Sequence, residues 1–375
     1  MEPIQMVDLK GQYLRIKSEI DTALLGAVEA AAYINGPQVK SFTASLQEFN
    51  KVECAVTCAN GTDALQIAMM GLDFNPGDEV IVPAFTYIAT VEVIALLGLV
   101  PVFIDVTEDT FELDHTKLEQ LITDKTVGII PVHLFGQCSN MEAINIIARK
   151  HGIAVIEDTA QAMGAQYIAA DGSRSFAGTI GDIGTTSFFP SKNLGCFGDG
   201  GALLTRDPEL AEKVRIIANH GQRKKYYHES IGVNSRLDTV QAAILDVKIK
   251  YLEDYSARRQ QVAERYDNSL GSLSGLTIPV RASYSTHVFN QYTCRITGGR
   301  RDELKDYLQD KGIPTMIYYP VPVHLQEAYA VYGYKKGDFP VAERLCSEVI
   351  SLPIHTEMKP EVQEYIIDNV KSFFN

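Results

Sequence analysis

Apolar residues along the first two hundred positions gather in short dense runs, most of them bounded by glycine, proline or an acid. The runs fall at 54–58, 79–83, 100–106, 128–133, 153–157, 185–189 and 202–205, as expected of strands buried in a mainly parallel sheet. Between them the period changes. In 140–150 the apolar Met141, Ile144, Ile147 and Ala148 share one helical face, and His151-Gly152 is the stop. Asp207-Pro208 supplies an N-cap followed by proline at the first helical position, opening a helix that closes at His220-Gly221. A leading helix is predicted over 12–30 from Leu14, Ile16, Ile20, Leu24, Leu25 and Val28. Strand and helix in alternation predict an α/β layered domain.

The register Leu237, Val240, Ile244, Val247, Tyr251 then predicts a long amphipathic helix running to about 255. The remaining C-terminal third has an α+β pattern: a strand near 288–296, a helix over 301–311, a strand over 314–319 and two further helices. These elements cannot simply extend the first sheet. The expected organisation is a large α/β domain over 1–254 and a smaller α+β domain over 255–375, since 375 residues exceed what one core usually serves.

Composition narrows the class. With 46% hydrophobic and 22% charged residues the chain reads as globular, and a formal charge of −13 argues against a nucleic-acid backbone as partner. Charges every few positions at the N-terminus predict no signal peptide, and the most apolar stretch, 91–104, is interrupted by Gly98 and Pro101, so no membrane span is expected. Cys54, Cys58, Cys138, Cys196, Cys294 and Cys346 form no CxxC pair, which signals neither a metal site nor a disulfide framework and suits a reduced cytoplasm.

Five stretches carry candidate chemistry. In 185–202 a strand-like run ends at Pro190, and glycines at 195, 198, 200 and 201 enclose Lys192 in a loop. An amine beside a low-polarity wall loses proton affinity and can attack a carbonyl to form a Schiff base, although an ordinary surface lysine fits the same stretch. The second stretch, Asn60-Gly61-Thr62-Asp63, stands between a strand and a helix, where free N–H groups and the helix dipole favour phosphate; a turn with an N-cap explains it equally. In the third, the run 153–157 ends in Glu157-Asp158 at a sheet edge, where a carboxylate can keep a ring nitrogen protonated. One of the two acids is expected to cap a helix, and Asp158, past the apolar run, is the functional candidate. The fourth, Pro83 to Thr90, offers Phe85 or Tyr87 as a plate for a planar cofactor, or both as core. Arg236, in 232–238, offers a planar fork for an anion or a partner for Asp238. In this order the parts suit pyridoxal 5′-phosphate.

The sequence resembles the DegT/StrS sugar aminotransferases, of fold type I among pyridoxal phosphate enzymes, over nearly its whole length. The resemblance rests on NGTDAL (60–65), PVHLFGQ (131–137), IEDTAQA (156–162), SFFPSKNLG (187–195), GDGGA (198–202) and GVNSRLDTVQAAIL (232–245). It implies that Lys192 is the Schiff-base lysine that moves the proton, that Asp158 pairs with the pyridine nitrogen, and that Gln161 contacts the phenolic oxygen. It further implies that Thr62, Asp63 and Ser187 hold the phosphate, that Asn234 reaches it from the neighbouring subunit of a homodimer, and that Tyr87 is the stacking ring.

Glutamate as donor and a nucleotide-linked keto-hexose as acceptor are implied by the same resemblance. Within the family, DLKGQY, CANGTDALQIA, ALLG, GQRKKYYH and FNQYT resemble enzymes that aminate UDP-2-acetamido-2-deoxy-3-oxo-glucuronate at carbon three, with Arg236 as candidate for the sugar carboxylate. Those members often read His-Tyr-Pro where this chain has Tyr318-Tyr319-Pro320. Tyr318 cannot become cationic at neutral pH, and His324 is the candidate to compensate. Amination of a dTDP-3-keto or a UDP- or dTDP-4-keto hexose is the alternative inside the fold. A family dehydratase would commonly replace the lysine by histidine, and a desulfurase would need a reactive thiol, whereas Cys196 beside Phe197 reads as buried and structural. A non-catalytic binding or regulatory protein is the alternative outside the class.

Overall fold

The computed structural model describes residues 3–374. Three helices, α1 (Leu9–Arg15), α2 (Lys17–Glu29) and α3 (Pro37–Asn50), precede the first strand. The strands are β1 (Cys54–Cys58), β2 (Glu79–Pro83), β3 (Val100–Ile104), β4 (Thr126–Ile129), β5 (Ala154–Asp158), the hairpin β6 (Gln166–Ile168) and β7 (Arg174–Phe176), then β8 (Ile183–Ser187) and β9 (Gly201–Thr205). Seven of them form one sheet in the order β1-β9-β8-β5-β4-β2-β3. Within it β9 runs antiparallel to both neighbours, and the other pairs are parallel.

Alternation in β2 shows why the sheet is covered on both faces. Val80 and Val82 join a core with Leu65 of α4 (Gly61–Gly71) and Val93 of α5 (Ala89–Leu96). Ile81 points the other way, into a core with Met141 and Ile144 of α6 (Met141–His151). The caps read in the sequence close these helices. Asn140 accepts from Ala143 N at 3.2 Å and Gly152 ends α6 at φ 66°, while Asp207 caps α7 (Pro208–Ala218) through Glu209 N and Leu210 N.

The remainder comprises the hairpin β10 (Gln222–Lys224) and β11 (Tyr227–His228), helices α8 (Thr239–Lys248) and α9 (Leu252–Leu270), and β12 (Leu276–Thr277) with β13 (Tyr292–Ile296). After them come α10 (Arg301–Asp310), α11 (Pro340–Glu348), β14 (Val349–Leu352) and α12 (Pro360–Phe374). A second core gathers Val262, Tyr266, Tyr292, Leu304 and Ile366.

Several boundaries differ from expectation. The leading helix starts at Leu9 and breaks at Ile16, whose ψ of 20° separates α1 from α2. The helix expected to end near 255 passes through a 3₁₀ turn, Ile249–Tyr251, and continues as α9 to Leu270. Leu252 packs with Leu245 in the first region and Val262 packs in the second core, so α9 begins in one core and ends in the other. We therefore propose the division between 1–254 and 255–375 as a change of packing partner along one helix; residues 1, 2 and 375 lie outside the described residues.

The strand expected over 314–319 is absent. Met316 alone exchanges backbone hydrogen bonds with Ser351, at 3.2 and 2.7 Å, and β14 takes the third place in the small sheet. Pro314 and Pro320 cannot donate to a ladder. No described helix is long and apolar enough to cross a membrane.

Candidate active site

The C-terminal ends of β5 and β8 and the start of α4 surround a cavity of about 650 Å³, the place where open α/β sheets bind ligands. Lys192 reaches it from a loop held at several points. Lys192 N donates to Phe189 O at 2.8 Å, Phe188 N to Gly200 O at 2.7 Å, and Cys196 N to Phe188 O at 2.8 Å. From outside the loop, Asn193 Nδ2 reaches Val288 O at 3.0 Å and the buried Lys248 ammonium donates to Gly195 O. The Lys192 side chain has no ion pair or hydrogen bond among the described residues. Burial pushes its ammonium below the usual 10.5, and the charge of Asp158 offsets part of that. The amine is therefore available as a nucleophile. Cys196 is fully buried, its thiol lies 3.1 Å from both Phe188 O and Gly198 O with one proton to share between them, and it is pushed up to about 11 by burial, so it is a structural thiol.

The two acids at the end of β5 point to opposite faces, as successive strand residues must. Asp158 enters the cavity, 6% exposed, and accepts from Thr90 Oγ1 at 2.8 Å and from Ala160 N at 3.1 Å. Glu157 turns into the protein and caps no helix. It accepts from Gly178 N, Ile180 N and Gly181 N at 2.9, 2.6 and 2.7 Å and pairs with His133 Nε2 at 2.8 Å. Because His133 Nδ1 accepts from Ser139 N at 3.0 Å, Nε2 carries the proton that Glu157 receives.

Burial alone would raise Glu157, but His133 and the amides of Gly181 and Gly178 outweigh it and hold the carboxyl below the usual range. Glu157→Ala should lose about 3–5 kcal/mol in chemical denaturation at neutral pH. A group lowered on folding stabilises above its unfolded pKa and loses that contribution as pH falls through the folded one. The gap between variant and parent should therefore narrow in acid.

At the start of α4, Asn60 Oδ1 caps Asp63 N at 2.8 Å and Ala64 N bonds Asn60 O at 3.1 Å, leaving Gly61 N–H and Thr62 N–H without partners among the described residues. With the hydroxyls of Thr62 and Ser187 beside them, these donors suit a phosphate. Asp63 lines the same end; its amide donates to Asn60 Oδ1, whereas the Gly61 amide has no partner among the described residues.

Gly201 makes this cradle possible. A Cβ there would lie 2.4 Å from the backbone carbonyl of Asn60 and 2.9 Å from Gly61 N. Gly201→Ala should displace the helix start, weakening cofactor affinity about tenfold or more in equilibrium dialysis and costing roughly 1–3 kcal/mol of stability through overpacking.

Phe85 is 1% exposed and packs with Phe111, Phe135 and Tyr319, whereas Tyr87 is 55% exposed and lines the cavity. Gln161 Oε1 accepts from Phe135 N at 2.7 Å and its Nε2 donates to Tyr319 Oη at 3.0 Å, so the Tyr319 proton is free to face the cavity. An unpaired amine, an ionisable acceptor opposite it, an exposed ring and a phosphate-ready helix start together fit pyridoxal 5′-phosphate.

The comparisons agree with that fit. Residues 14–371 match the model of the DegT/DnrJ/EryC1/StrS aminotransferase family. The chain belongs to this family. Among its relatives, UDP-2-acetamido-2-deoxy-3-oxo-D-glucuronate aminotransferase of Pseudomonas aeruginosa is 46% identical over 94% of this chain and 95% of that protein. A protein of Geobacillus stearothermophilus named pleiotropic regulatory protein is 44% identical over 99% of this chain and 98% of its own. Among solved structures, S. venezuelae DesV in complex with a ketimine intermediate superposes with a TM-score of 0.96 at 40% identity, covering 100% and 99% of the two chains. NtdA of Bacillus subtilis, solved with bound cofactor PMP, gives 0.88 at 30% identity over 95% and 81%.

Not every residue expected at the site of this aminotransferase lies in the cavity. Tyr318 and Tyr319 line it. Arg236 and Asn234 do not: the Arg236 guanidinium donates to Asn219 Oδ1 at 3.4 Å, and Asn234 is exposed on the segment before α8. His324 cannot compensate for Tyr318. It is 1% exposed, wedged against Phe103 and Phe339, and its Nε2 bonds Glu343 at 3.1 Å. Sequence reasoning assigned no role to Thr90, Asp199 or Gln291. Thr90 lies in the first turn of α5 and Thr86 in the bend before it, a pairing that no helical period would single out.

Proposed function

We propose that this sugar aminotransferase acts on nucleotide-linked keto-sugars with glutamate as amino donor, and that its acceptor is UDP-2-acetamido-2-deoxy-3-oxo-glucuronate, aminated at carbon three for polysaccharide biosynthesis. The observation that carries the transaminase reading is the unpaired Lys192 amine facing Asp158 across one cavity. The named acceptor is supported by the 46% identity to the Pseudomonas aeruginosa relative. The cofactor is pyridoxal 5′-phosphate, which when bound supplies an electron sink for charge left on the amino-bearing carbon.

The chain's own residues do the rest. Lys192 Nζ would take the proton from the donor's α-carbon and deliver it to the cofactor carbon within the same half-reaction, and would run the transfer in reverse to protonate the sugar carbon in the other. Asp158 would hold the proton on the ring nitrogen, Gly61 N–H, Thr62 and Ser187 would hold the phosphate, Tyr87 would cover the ring, and Gln161 with Tyr319 would contact its edge. In a cytoplasmic homodimer with shared sites, Asn234 would reach the phosphate of the neighbouring subunit's cavity, and Arg236 is kept as the candidate for the sugar carboxylate; neither lines the cavity of its own chain.

One observation favours a second acceptor class. Among the described residues lining the cavity, Lys192 is the one cation against Asp63, Asp158 and Asp199. An uncharged dTDP-3-keto, or UDP- or dTDP-4-keto, hexose avoids placing a carboxylate there.

Absorption spectroscopy separates the readings. Glutamate should bleach the near-visible band of the holoenzyme, and one keto-sugar of a UDP and dTDP panel should restore it. Restoration by the glucuronate supports the first acceptor and restoration by an uncharged hexose the second. No band after cofactor is added removes the transaminase reading in favour of a non-catalytic regulatory protein.

A further inference from the structure

Behind Asp158 stands a row of hydroxyls to which the proposed transamination assigns no part. Thr86, Thr90 and Asp158 are 3%, 0% and 6% exposed. Thr90 Oγ1 donates to Asp158 Oδ2 at 2.8 Å and lies 3.3 Å from Thr86 Oγ1. A hydroxyl has one proton, and that of Thr90 is committed to the carboxylate, so Thr86 is the donor in the second contact. The row therefore has a direction, from Thr86 through Thr90 to Asp158. Ala160 N–H fills Oδ1 at 3.1 Å. A carboxylate accepting two such bonds keeps lone pairs free for a third donor in the cavity.

We propose that Thr90 is a positioning residue for Asp158, its hydroxyl oriented by Thr86 so that the carboxylate is held aimed at the ring nitrogen of the cofactor. This rests on the proposed role of Asp158. Hydrogen bonds to the charged form of a buried carboxylate favour that form, and here no ion pair does so among the described residues. The other titratable groups around Asp158 are Lys192 on the loop after β8, Asp63 at the start of α4, Asp199, Tyr87, Tyr318 and Tyr319 on the cavity wall, and the Glu157–His133 pair on the opposite face of β5. Thr90 is the side chain that touches the carboxylate directly.

The test compares Thr90→Val with Thr90→Ser in the holoenzyme. Valine keeps the shape and removes the donor; serine keeps the donor. Loss of the bond frees the carboxylate to turn away from the ring nitrogen, so kcat should fall about tenfold with little change in KM for glutamate, and cofactor affinity should weaken about tenfold. Serine should restore both. Should Thr90→Val not accumulate as folded protein, Thr90→Ala is measured in the same way. A valine variant with an altered melting temperature but unchanged kcat and cofactor affinity overturns the proposal, since a merely structural hydroxyl behaves so. Asp158→Asn serves as reference. If that variant is also silent, the assignment of Asp158 has failed; if it is crippled while Thr90→Val is silent, only the role of Thr90 has.

Discussion

Lys192→Ala should retain cofactor yet show no turnover above background, a loss of at least about 10³–10⁴-fold. The proposed phosphate donors lie on α4 and at the end of β8 and the proposed ring partner on β5, so removing the amine leaves the binding elements in place. What disappears is the one group in the cavity able both to attack an aldehyde and to carry a proton between two carbons. Its suitability comes from position: the ammonium is buried, lacks an ion pair among the described residues, and is held below 10.5. The cofactor-free protein should accordingly react with pyridoxal phosphate along a pH curve whose midpoint lies below that of free lysine, because the neutral amine is the nucleophile. Absorbance during the glutamate half-reaction gives the rate, and a variant retaining a tenth of it would remove Lys192 from its assigned role.

The second large effect is expected at Asp158→Asn, where turnover should fall on the order of a thousandfold, about 4 kcal/mol of barrier. The substitution is nearly isosteric and keeps an oxygen for Thr90 or Ala160. It removes the negative charge that holds a proton on the ring nitrogen, and with it the electron sink that lowers the barrier. The adjacent acid cannot take over. Glu157 is fully buried on the other face of β5, with four donors around it. Steady-state rates with a melting curve distinguish lost chemistry from lost fold. Near-normal turnover would mean that another group protonates the ring.

The order of residues along the chain was enough for the α/β class, most of the sheet strands to within a few residues, the caps of α6 and α7, and the choice of Lys192 and Asp158 as candidates, which the fold brings to one cavity. These rest on local physics. A run of apolar residues bounded by glycine, or an aspartate before a proline, acts within one turn or one strand, and the resemblance supplied roles for residues inside contiguous motifs.

The resemblance chose Tyr87 over Phe85, but the physical reason that Tyr87 faces the cavity was legible only in the packed fold. Phe85 and Tyr87 are alike in type and spacing, and their fates were settled by the Phe111–Phe135 cluster, which comes from other parts of the chain. His324 looked available until Phe103 and Phe339 closed over it. The segment 314–319 reads as a strand, but its place in the small sheet went to β14, since pairing depends on what lies beside a strand as well as on its own residues. The hydroxyl row from Thr86 to Asp158 depends on a bond between Thr90 and Asp158, 68 positions apart. Periodicity is a property of one segment, whereas burial and hydrogen-bond partners belong to pairs of segments, and those pairs exist only once the chain has folded.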